Sequence, residues 1–280
     1  MTKEGSAISL RVGVGSPAGI PGADPHLVLD WAARADATPC SSLAVIDRLA
    51  YGNHDPLCVL AAAAAVTSRI RLATCILIAP LRETGVLASQ AASVDALSGG
   101  RLTLGVAVGA RAEDYHLAGL DPAGRGRRLD QQLGDLRDRF DTPAGRPELL
   151  VGGQGGGALA RMARYADGYV HGGGPPRAFA GAAERARAAW ADAGRPGSPV
   201  LWGMGYFALG GAAEAGRDYV RDYYAFTGPF AERIAEGVLA TSRAVTELVR
   251  GYADAGCDEL LLFPAVASAD QLDRLADALG

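Results

Sequence analysis

The segment 101–108 constrains the fold more than any other part of the chain. Every second residue from Leu102 to Val108 is apolar and the residues between them are uncharged, so a strand built from this segment has no polar face. Because such a strand must be covered on both sides, it predicts a parallel sheet inside a shell of helices. Gly109 ends the strand and a polar stretch follows at once, which is where α/β proteins place their ligands.

Strand and helix patterns alternate along the whole chain. The predicted strands cover residues 10–14, 43–46, 70–78, 101–108, 148–151, 168–170, 200–209 and 260–263. Helical patterns cover residues 25–35, 56–66, 84–97, 125–140, 158–166, 176–194, 214–226, 230–236, 242–255 and 270–279. Eight strand–helix units without a linker fit a single α/β domain over residues 1–280, a (β/α)8 or TIM barrel. A doubly wound open sheet is the alternative, but the GxGxxG spacing and the acidic residue of a dinucleotide fold are missing.

Composition and charge exclude several classes of function. The formal charge of −4 and a pI near 5.6 argue against a nucleic-acid partner or a polybasic membrane anchor. No apolar run is long enough to span a membrane and the first nine residues do not resemble a secretory signal, so we expect a cytoplasmic protein. The four cysteines form no CxxC pair, which predicts small buried hydrophobes rather than zinc ligands or disulfides. Lys3 is the only lysine, so mechanisms that need a Schiff-base lysine are excluded.

The predicted strand ends lack the groups that many barrel enzymes use. The four histidines are isolated and no HxH pair occurs, which disfavours a metal hydrolase. Only Asp47 places a carboxylate at a strand end, whereas glycoside hydrolysis needs two, and no GxSxG elbow is present. What the exits share is glycine, at Gly15, Gly109, 152–157 and 172–174. Exposed N–H groups at a helix N-terminus bind phosphate, so these glycines predict a phosphorylated cofactor, although glycines also serve ordinary turns.

Five stretches of the chain resemble the bacterial-luciferase-like superfamily of flavin- and coenzyme F420-dependent oxidoreductases. In chain order they are TSRIRLATCILIAPLR, LASQAASVDALSGGRLTLGVAVG, GRGRRLDQQL, PELLVGGQGGGALARMARYADGYV and YADAGCDELLLF. The joint occurrence of SRIRL and LSGGRLTLGVAVG is the specific part of the resemblance. It implies a (β/α)8 barrel that binds FMN or coenzyme F420 at its C-terminal mouth and acts on a small organic substrate.

The resemblance also implies which residues bind the cofactor. Cys75-Ile76, at the end of the third predicted strand, corresponds to a non-prolyl cis peptide that supports the cofactor ring. Residues 152–155 match the phosphate loop, and Tyr115 and His116 lie where family members line the pocket. The predicted cofactor-binding residues are Cys75, Ile76, Gly109, Tyr115, Gly152, Gly153, Gln154, Gly155, Gly156 and His171.

Three departures from the family pattern affect the predicted chemistry. Asp47 keeps the acidic position after the second strand, but Arg48 replaces the acid–base histidine, and His54 is the nearest substitute unless it is a surface residue. The phosphate loop has glycines where the family often has Ser or Thr. Only residues 141–146 remain between the fourth helix and the fifth strand, where the family has a longer segment, so the mouth is expected to admit water. The predicted catalytic residues are Asp47, Arg48, His54 and His116, and no metal ligands are predicted.

Two classes of function are compatible with these features. The favoured one is a flavin- or F420-dependent monooxygenase or reductase, and the alternative is a non-catalytic or repurposed barrel that has lost or weakened cofactor binding. The resemblance also implies a dimer. The alanine-rich helix 57–65 and the neighbouring helix 84–97 carry few charges, and burial of their outer faces in a homodimer would explain that composition.

Overall fold

A computed structural model describes residues 10–140 and 146–280 of the chain. In these residues eight parallel strands form a closed barrel in which each strand pairs with the next and β1 pairs with β8. The strands are β1 (Arg11–Gly15), β2 (Ser42–Val45), β3 (Arg71–Ile78), β4 (Leu102–Ala107), β5 (Glu148–Gly152), β6 (Gly168–Val170), β7 (Val200–Phe207) and β8 (Glu259–Pro264). The predicted (β/α)8 barrel is therefore confirmed, and its strand order is the order of the sequence.

The helices lie between the strands along the chain. They are α1 (Pro25–Asp36), α2 (Pro56–Val66), α3 (Thr84–Ser98), α4 (Ala112–Leu117), α5 (Arg125–Phe140), α6 (Gly156–Tyr165), α7 (Pro176–Asp192), α8 (Ala213–Tyr223), α9 (Phe230–Glu236), α10 (Ser242–Asp254) and α11 (Asp270–Leu279). Two Asp-Pro pairs start helices as the sequence predicts. The Asp24 side chain accepts a hydrogen bond from the backbone N–H of His26 (2.9 Å), and Asp55 accepts one from that of Leu57 (2.9 Å).

The structure corrects four details of the prediction. Residues 112–117, predicted as a polar loop, form α4, because a helix of six residues is too short to show a 3.6-residue period. The helix predicted to reach residue 226 ends at Tyr223 and is followed by the 3-10 turn Ala225–Thr227. The strand predicted to reach residue 209 ends at Phe207, because the next N–H bonds to the carbonyl of Leu239 instead. Cys58 is exposed, whereas the other three cysteines are buried, and all four are free thiols.

The interior of the barrel changes from polar to apolar along its axis. At the N-terminal end, Glu259 is fully buried and receives hydrogen bonds from the hydroxyls of Ser41 (2.8 Å) and Ser42 and an ion pair from Arg11 (3.2 Å). Farther along, the interior is filled by apolar residues that include Leu261. Since ion pairs close the N-terminal end, a ligand site is to be sought at the C-terminal ends of the strands.

Of the link predicted at 141–146, residues 141–145 lie outside the described residues, and α5 ends at Phe140 while β5 begins at Glu148. Across residues 10–140 and 146–280, none of the helices combines the length and the apolar character needed to cross a membrane.

Candidate functional site

The C-terminal ends of the strands form one face of the barrel, which we call the mouth. Gly109 follows β4, Gly152 ends β5 and His171 follows β6. Because every strand pairs in parallel with its neighbours, these three residues lie at the same face, as the sequence predicts.

Cys75 and Ile76 lie near the C-terminal end of β3. The peptide bond between them is cis, as predicted. The Ile76 side chain packs against two neighbouring strands: a Cβ atom added to Gly152 would lie 2.6 Å from Ile76 Cδ1, and one added to Gly105 would lie 3.2 Å from Ile76 Cγ2. Burial raises the pKa of the Cys75 thiol to about 12, so this thiol is neutral. Gly152 therefore makes room for Ile76, whereas at Gly105 the nearest atom to an added Cβ is the backbone oxygen of Thr74, at 2.3 Å.

The loop between β5 and α6 presents backbone without side chains. Gly153 has a φ of 138°, in the range that favours glycine, and residues 154–157 are exposed. No side chain caps the N-terminus of α6, and a Cβ atom added to Gly155 or Gly156 would meet no atom within 4 Å. The first N–H groups of α6 are therefore accessible, which is the arrangement that binds a phosphate or another anion.

Tyr169 and His171, on β6 and just beyond it, adjoin this loop. The Tyr169 hydroxyl donates a hydrogen bond to the carbonyl oxygen of Gly153 (2.5 Å), which fixes the start of the loop. The imidazole of His171 is buried edge-on to the Phe179 ring, and its Nδ1 has no hydrogen-bond partner among the described residues. Burial, together with the positive charge of Arg185, lowers the pKa of His171, so the imidazole is neutral at neutral pH.

Asp47 follows β2, and its carboxylate joins two strand exits. It accepts hydrogen bonds from the backbone N–H of Ile78 (2.8 Å) and from Arg82 Nη1 (2.6 Å). Arg82 also pairs with Asp55, the cap of α2 (2.7 Å). These contacts give Asp47 a structural role, and the catalytic role that the sequence assigns to it stays a prediction.

Two arginines, Arg48 and Arg111, are buried at the exits of β2 and β4. Arg48 follows β2, Arg111 precedes α4, and they are 7% and 8% exposed. Both donate hydrogen bonds to one atom, the carbonyl oxygen of Tyr223 at the end of α8, over 3.3 Å for Arg48 and 2.7 Å for Arg111. Arg48 Nη2 also pairs with Glu113 (3.0 Å). The two arginines thus hold the C-terminal end of α8 against the exits of β2 and β4.

Six aromatic residues pack beside these arginines, and we call them the aromatic cluster: Tyr51, Tyr206, Tyr219, Tyr223, Tyr224 and Phe226. The guanidinium carbon of Arg48 lies 4.3 Å from the centroid of the Tyr51 ring, and that of Arg111 lies 4.1 Å from the centroid of the Phe226 ring. Sequence analysis missed this cluster, and with it Arg111. The only local signal was a polar residue two positions after Gly109.

The aromatic cluster reaches the barrel interior through Tyr206, on β7. Its hydroxyl lies 3.0 Å from that of Tyr224, which is half-buried. Burial raises the pKa of both phenols, so both are protonated at neutral pH. A pair of neutral hydroxyls therefore lies at the edge of the mouth.

The three remaining predicted residues, Tyr115, His116 and His54, differ in their exposure to solvent. Tyr115 is buried and its hydroxyl donates to the carbonyl of Val108, and burial raises its pKa to about 12. His116, next to it on α4, is exposed, and so is His54. The sequence indicates the loops that hold these residues, but not which face of each loop they occupy.

The surface of the described part of the chain includes clefts away from the strand exits. One, of about 320 Å³, lies along α8 and α9, and another, of about 440 Å³, lies between the start of α3 and α5. None of the predicted site residues lines either cleft. The candidate site is therefore defined by the strand exits.

Comparison with known sequences gives a family and several partial relatives. A family model described as luciferase-like monooxygenase matches residues 4–272. An uncharacterised protein of Mycobacterium tuberculosis is 34% identical over 51% of this chain and 64% of its own length. The phthiodiolone/phenolphthiodiolone dimycocerosates ketoreductase of the same species is 32% identical over 51% of this chain and 44% of its length. The chain thus spans less than two thirds of the length of these curated relatives.

Comparison with solved structures gives the same fold. An F420-dependent secondary alcohol dehydrogenase in complex with an F420–acetone adduct matches with a TM-score of 0.81 and 14% identity, over 96% of this chain and 98% of that one. The oxygenating constituent of 3,6-diketocamphane monooxygenase of Pseudomonas putida, in complex with FMN, matches with a TM-score of 0.73 and 16% identity, over 96% of each chain. At these identities the likeness concerns the fold alone.

Proposed function

The chain belongs to the luciferase-like monooxygenase family, and on that premise we propose that it is an oxidoreductase that uses FMN or coenzyme F420 to act on a small organic substrate. The observation that carries this proposal is the side-chain-free N-terminus of α6, directly after β5 at the mouth. FMN and F420 both contain a phosphate, and the backbone N–H groups of Gly155 and Gly156 would bind it. The fold neighbours, one with an F420 adduct and one with FMN, support either cofactor.

Within this proposal the chain supplies binding and orientation, and the cofactor supplies the hydride or oxygen chemistry. Gly152, Gly153, Gln154, Gly155 and Gly156 would hold the phosphate. The remaining predicted contacts would border the ring: Cys75, Ile76, Gly109, Tyr115 and His171. Because the loop has no hydroxyl side chains, we expect weak, exchangeable binding, at a loss of about 0.5–1.5 kcal/mol for each missing neutral hydrogen bond.

We assign proton exchange with the substrate to Tyr224, supported by Tyr206. Its hydroxyl lies 3.0 Å from that of Tyr206, and the Arg111 guanidinium carbon lies 5.8 Å from the centroid of its ring. The hydrogen bond and the positive charge both lower the pKa of Tyr224 and so oppose the effect of burial. His54 and His116 are exposed, and their predicted catalytic roles stay predictions that depend on a substrate reaching them.

The experiment that tests the cofactor is a titration of the purified chain with FMN and with F420, followed by absorbance and fluorescence. We expect one of them to bind below about 100 µM. Gly155→Leu should weaken that binding at least about tenfold by covering the N–H groups without disturbing the fold. Gly85→Leu is the matched control, because Gly85 likewise lies at the start of a helix and in open space.

The outcome distinguishes the two classes of function. If neither cofactor binds at about 100 µM, the oxidoreductase proposal fails and the alternative, a repurposed barrel without its cofactor, takes its place. If a cofactor binds and Gly155→Leu binds it equally well, the phosphate lies elsewhere and the site assignment fails.

We also propose that the chain forms a homodimer through the outer faces of α2 and α3. Val66 on α2 and Val86 and Leu97 on α3 are exposed apolar residues, and Leu97 is 68% exposed. Light scattering should give about twice the chain mass of 28.7 kDa at micromolar concentration. Leu97→Arg should shift the mass to the monomer, whereas Leu117→Arg, at an equally exposed position on α4, should not. A wild-type mass of one chain would contradict the proposal.

A further inference from the structure

Arg48 and Arg111 form an unusual pair because their charges are buried together. Both are more than nine-tenths buried, and both donate to the same carbonyl oxygen of Tyr223. Two like charges that share one neutral acceptor repel each other in a poorly solvated place. The pair is therefore stabilised by any anion that reaches it.

Two carboxylates, those of Glu113 and Asp114, lie near the pair. Among the described residues the ion pair of Arg48 with Glu113 is the only one that either arginine makes, and the Glu113 side chain is 50% exposed. Asp114 is buried nearby: one carboxylate oxygen accepts a hydrogen bond from the backbone N–H of Ala50 (2.7 Å), and the other has no hydrogen-bond partner in the described part of the chain. Burial is the largest cause of the lowered pKa of Arg48 and the charge of Arg111 adds to it, whereas Tyr223, Asp114 and Glu113 act in the opposite direction. Of the two compensating carboxylates, that of Glu113 is exposed enough to be displaced by another anion.

The two arginines also have hydrogen-bond donors that lack acceptors. The Nε atoms of both Arg48 and Arg111 are buried and have no hydrogen-bond acceptor in the described part of the chain. A buried donor without an acceptor is costly, and guanidinium groups bind carboxylates through two parallel hydrogen bonds. The unused donors therefore fit a carboxylate better than a neutral ligand.

The surroundings of the pair are aromatic. The Arg48 guanidinium carbon lies 4.3 Å from the Tyr51 ring centroid, and that of Arg111 lies 4.4 Å from the Tyr223 and 4.1 Å from the Phe226 ring centroids. Phe226 is partly exposed and belongs to the short turn that follows α8. A flat ligand that enters beside Phe226 would meet ring faces and two guanidinium groups together.

We propose that Arg48 and Arg111 bind the carboxylate of the substrate, so that the substrate class is a flat organic acid. This rests on the proposed function, in which such an acid is the molecule that the cofactor oxidises or reduces. Glu113 is then an internal competitor: its exposed carboxylate pairs with Arg48 until the carboxylate of the substrate replaces it. The exits of β2 and β4 would then select the substrate by charge.

The test is calorimetric titration of the full chain with benzoate and with its neutral analogue, benzyl alcohol, both without cofactor and with whichever of FMN or F420 binds. We expect benzoate to bind at least about tenfold more tightly than benzyl alcohol. Glu113→Gln should tighten benzoate binding about threefold by removing the competitor. Glu247→Gln is the matched control, because it removes a similarly exposed carboxylate from an ion pair with Arg243 on α10.

The Glu113→Gln variant keeps the proposal falsifiable, since a gain in affinity cannot come from misfolding. Arg111→Gln should weaken benzoate binding at least about tenfold, and Arg111→Lys, which keeps the charge but not the fork of donors, should be intermediate. Equal affinities for benzoate and benzyl alcohol, or unchanged benzoate binding in Glu113→Gln, would overturn the proposal. Because cofactor titration is a separate measurement, loss of the cofactor assignment leaves this result interpretable.

Discussion

The mouth of this barrel has two sides that differ in almost every physical respect. The side formed by the exits of β5 and β6, the glycine side, offers exposed backbone at Gly155 and Gly156 and a neutral His171. The side formed by the exits of β2 and β4, the arginine side, is filled by Arg48 and Arg111 beside the aromatic cluster. The two sides come from equivalent positions of one repeating architecture, so the difference lies in the residues and not in the fold.

The contrast indicates a division of labour. Backbone N–H groups at a helix N-terminus bind any phosphate, which suits a group that several enzymes share. Buried side chains with charge and shape discriminate between ligands, because a mismatched partner leaves them unpaired. We therefore expect substitutions on the glycine side to change cofactor binding and substitutions on the arginine side to change stability and substrate choice.

Arg111→Met should have the largest effect on stability. It removes a charged donor from the buried carbonyl of Tyr223 and the contact with the Phe226 ring, and we expect the free energy of unfolding to fall by about 2–4 kcal/mol in urea unfolding. Arg127→Met, at an exposed arginine near the start of α5, is the matched control and should change it by less than about 0.5 kcal/mol. Equal losses of unfolding free energy in the two variants would mean that Arg111 stabilises the fold no more than an exposed arginine does.

Gly153→Ala should have the next largest effect on stability. It is an exception on the glycine side, where we otherwise expect substitutions to change cofactor binding. Its φ of 138° suits glycine, and the new Cβ atom would lie 3.0 Å from the Cβ of Ala158, so we expect a loss of about 1–3 kcal/mol. Gly155→Ala, where φ is −95° and the space is open, should stay within about 0.5 kcal/mol of wild type. Thermal or urea unfolding of both variants measures the difference. A Gly153→Ala variant as stable as Gly155→Ala would show that the loop relaxes.

The difference between the glycine side and the arginine side also explains how much of the structure could be predicted from the sequence. The barrel and the glycine side follow from local patterns: apolar strands, Asp-Pro helix starts and glycines directly after β5. The arginine side does not, because Arg111 and Arg48 meet Tyr223 across 112 and 175 residues of chain. No periodic pattern in the sequence indicates these contacts, because the residues come together only when the barrel closes.

The same limit applies to individual predicted residues. Asp47 was correctly placed at a strand exit, but its contacts with Ile78 and Arg82 depend on how the β2 and β3 exits meet. His116 was predicted in a loop that is the helix α4, and the helix turns its imidazole toward solvent. A sequence locates a residue along the chain, whereas the side on which its atoms act depends on tertiary packing.

The smallest expected effect is a loss of folding stability in acid, which we expect from His171 on the glycine side. Burial lowers the folded-state pKa of His171 below its unfolded value of about 6.5, so the unfolded chain binds the proton more readily. Stability contributed by this group is therefore constant above about pH 6.5 and falls as the pH drops from there toward the lowered pKa. His171→Gln should lose less stability than wild type between about pH 7.5 and 5, whereas His116→Gln, at an exposed site, should follow wild type. The measurement is the urea midpoint at both pH values. If wild type and His171→Gln lost the same stability on going to the lower pH, the imidazole of His171 would be solvated. A neutral His171 would then no longer distinguish the glycine side from the arginine side.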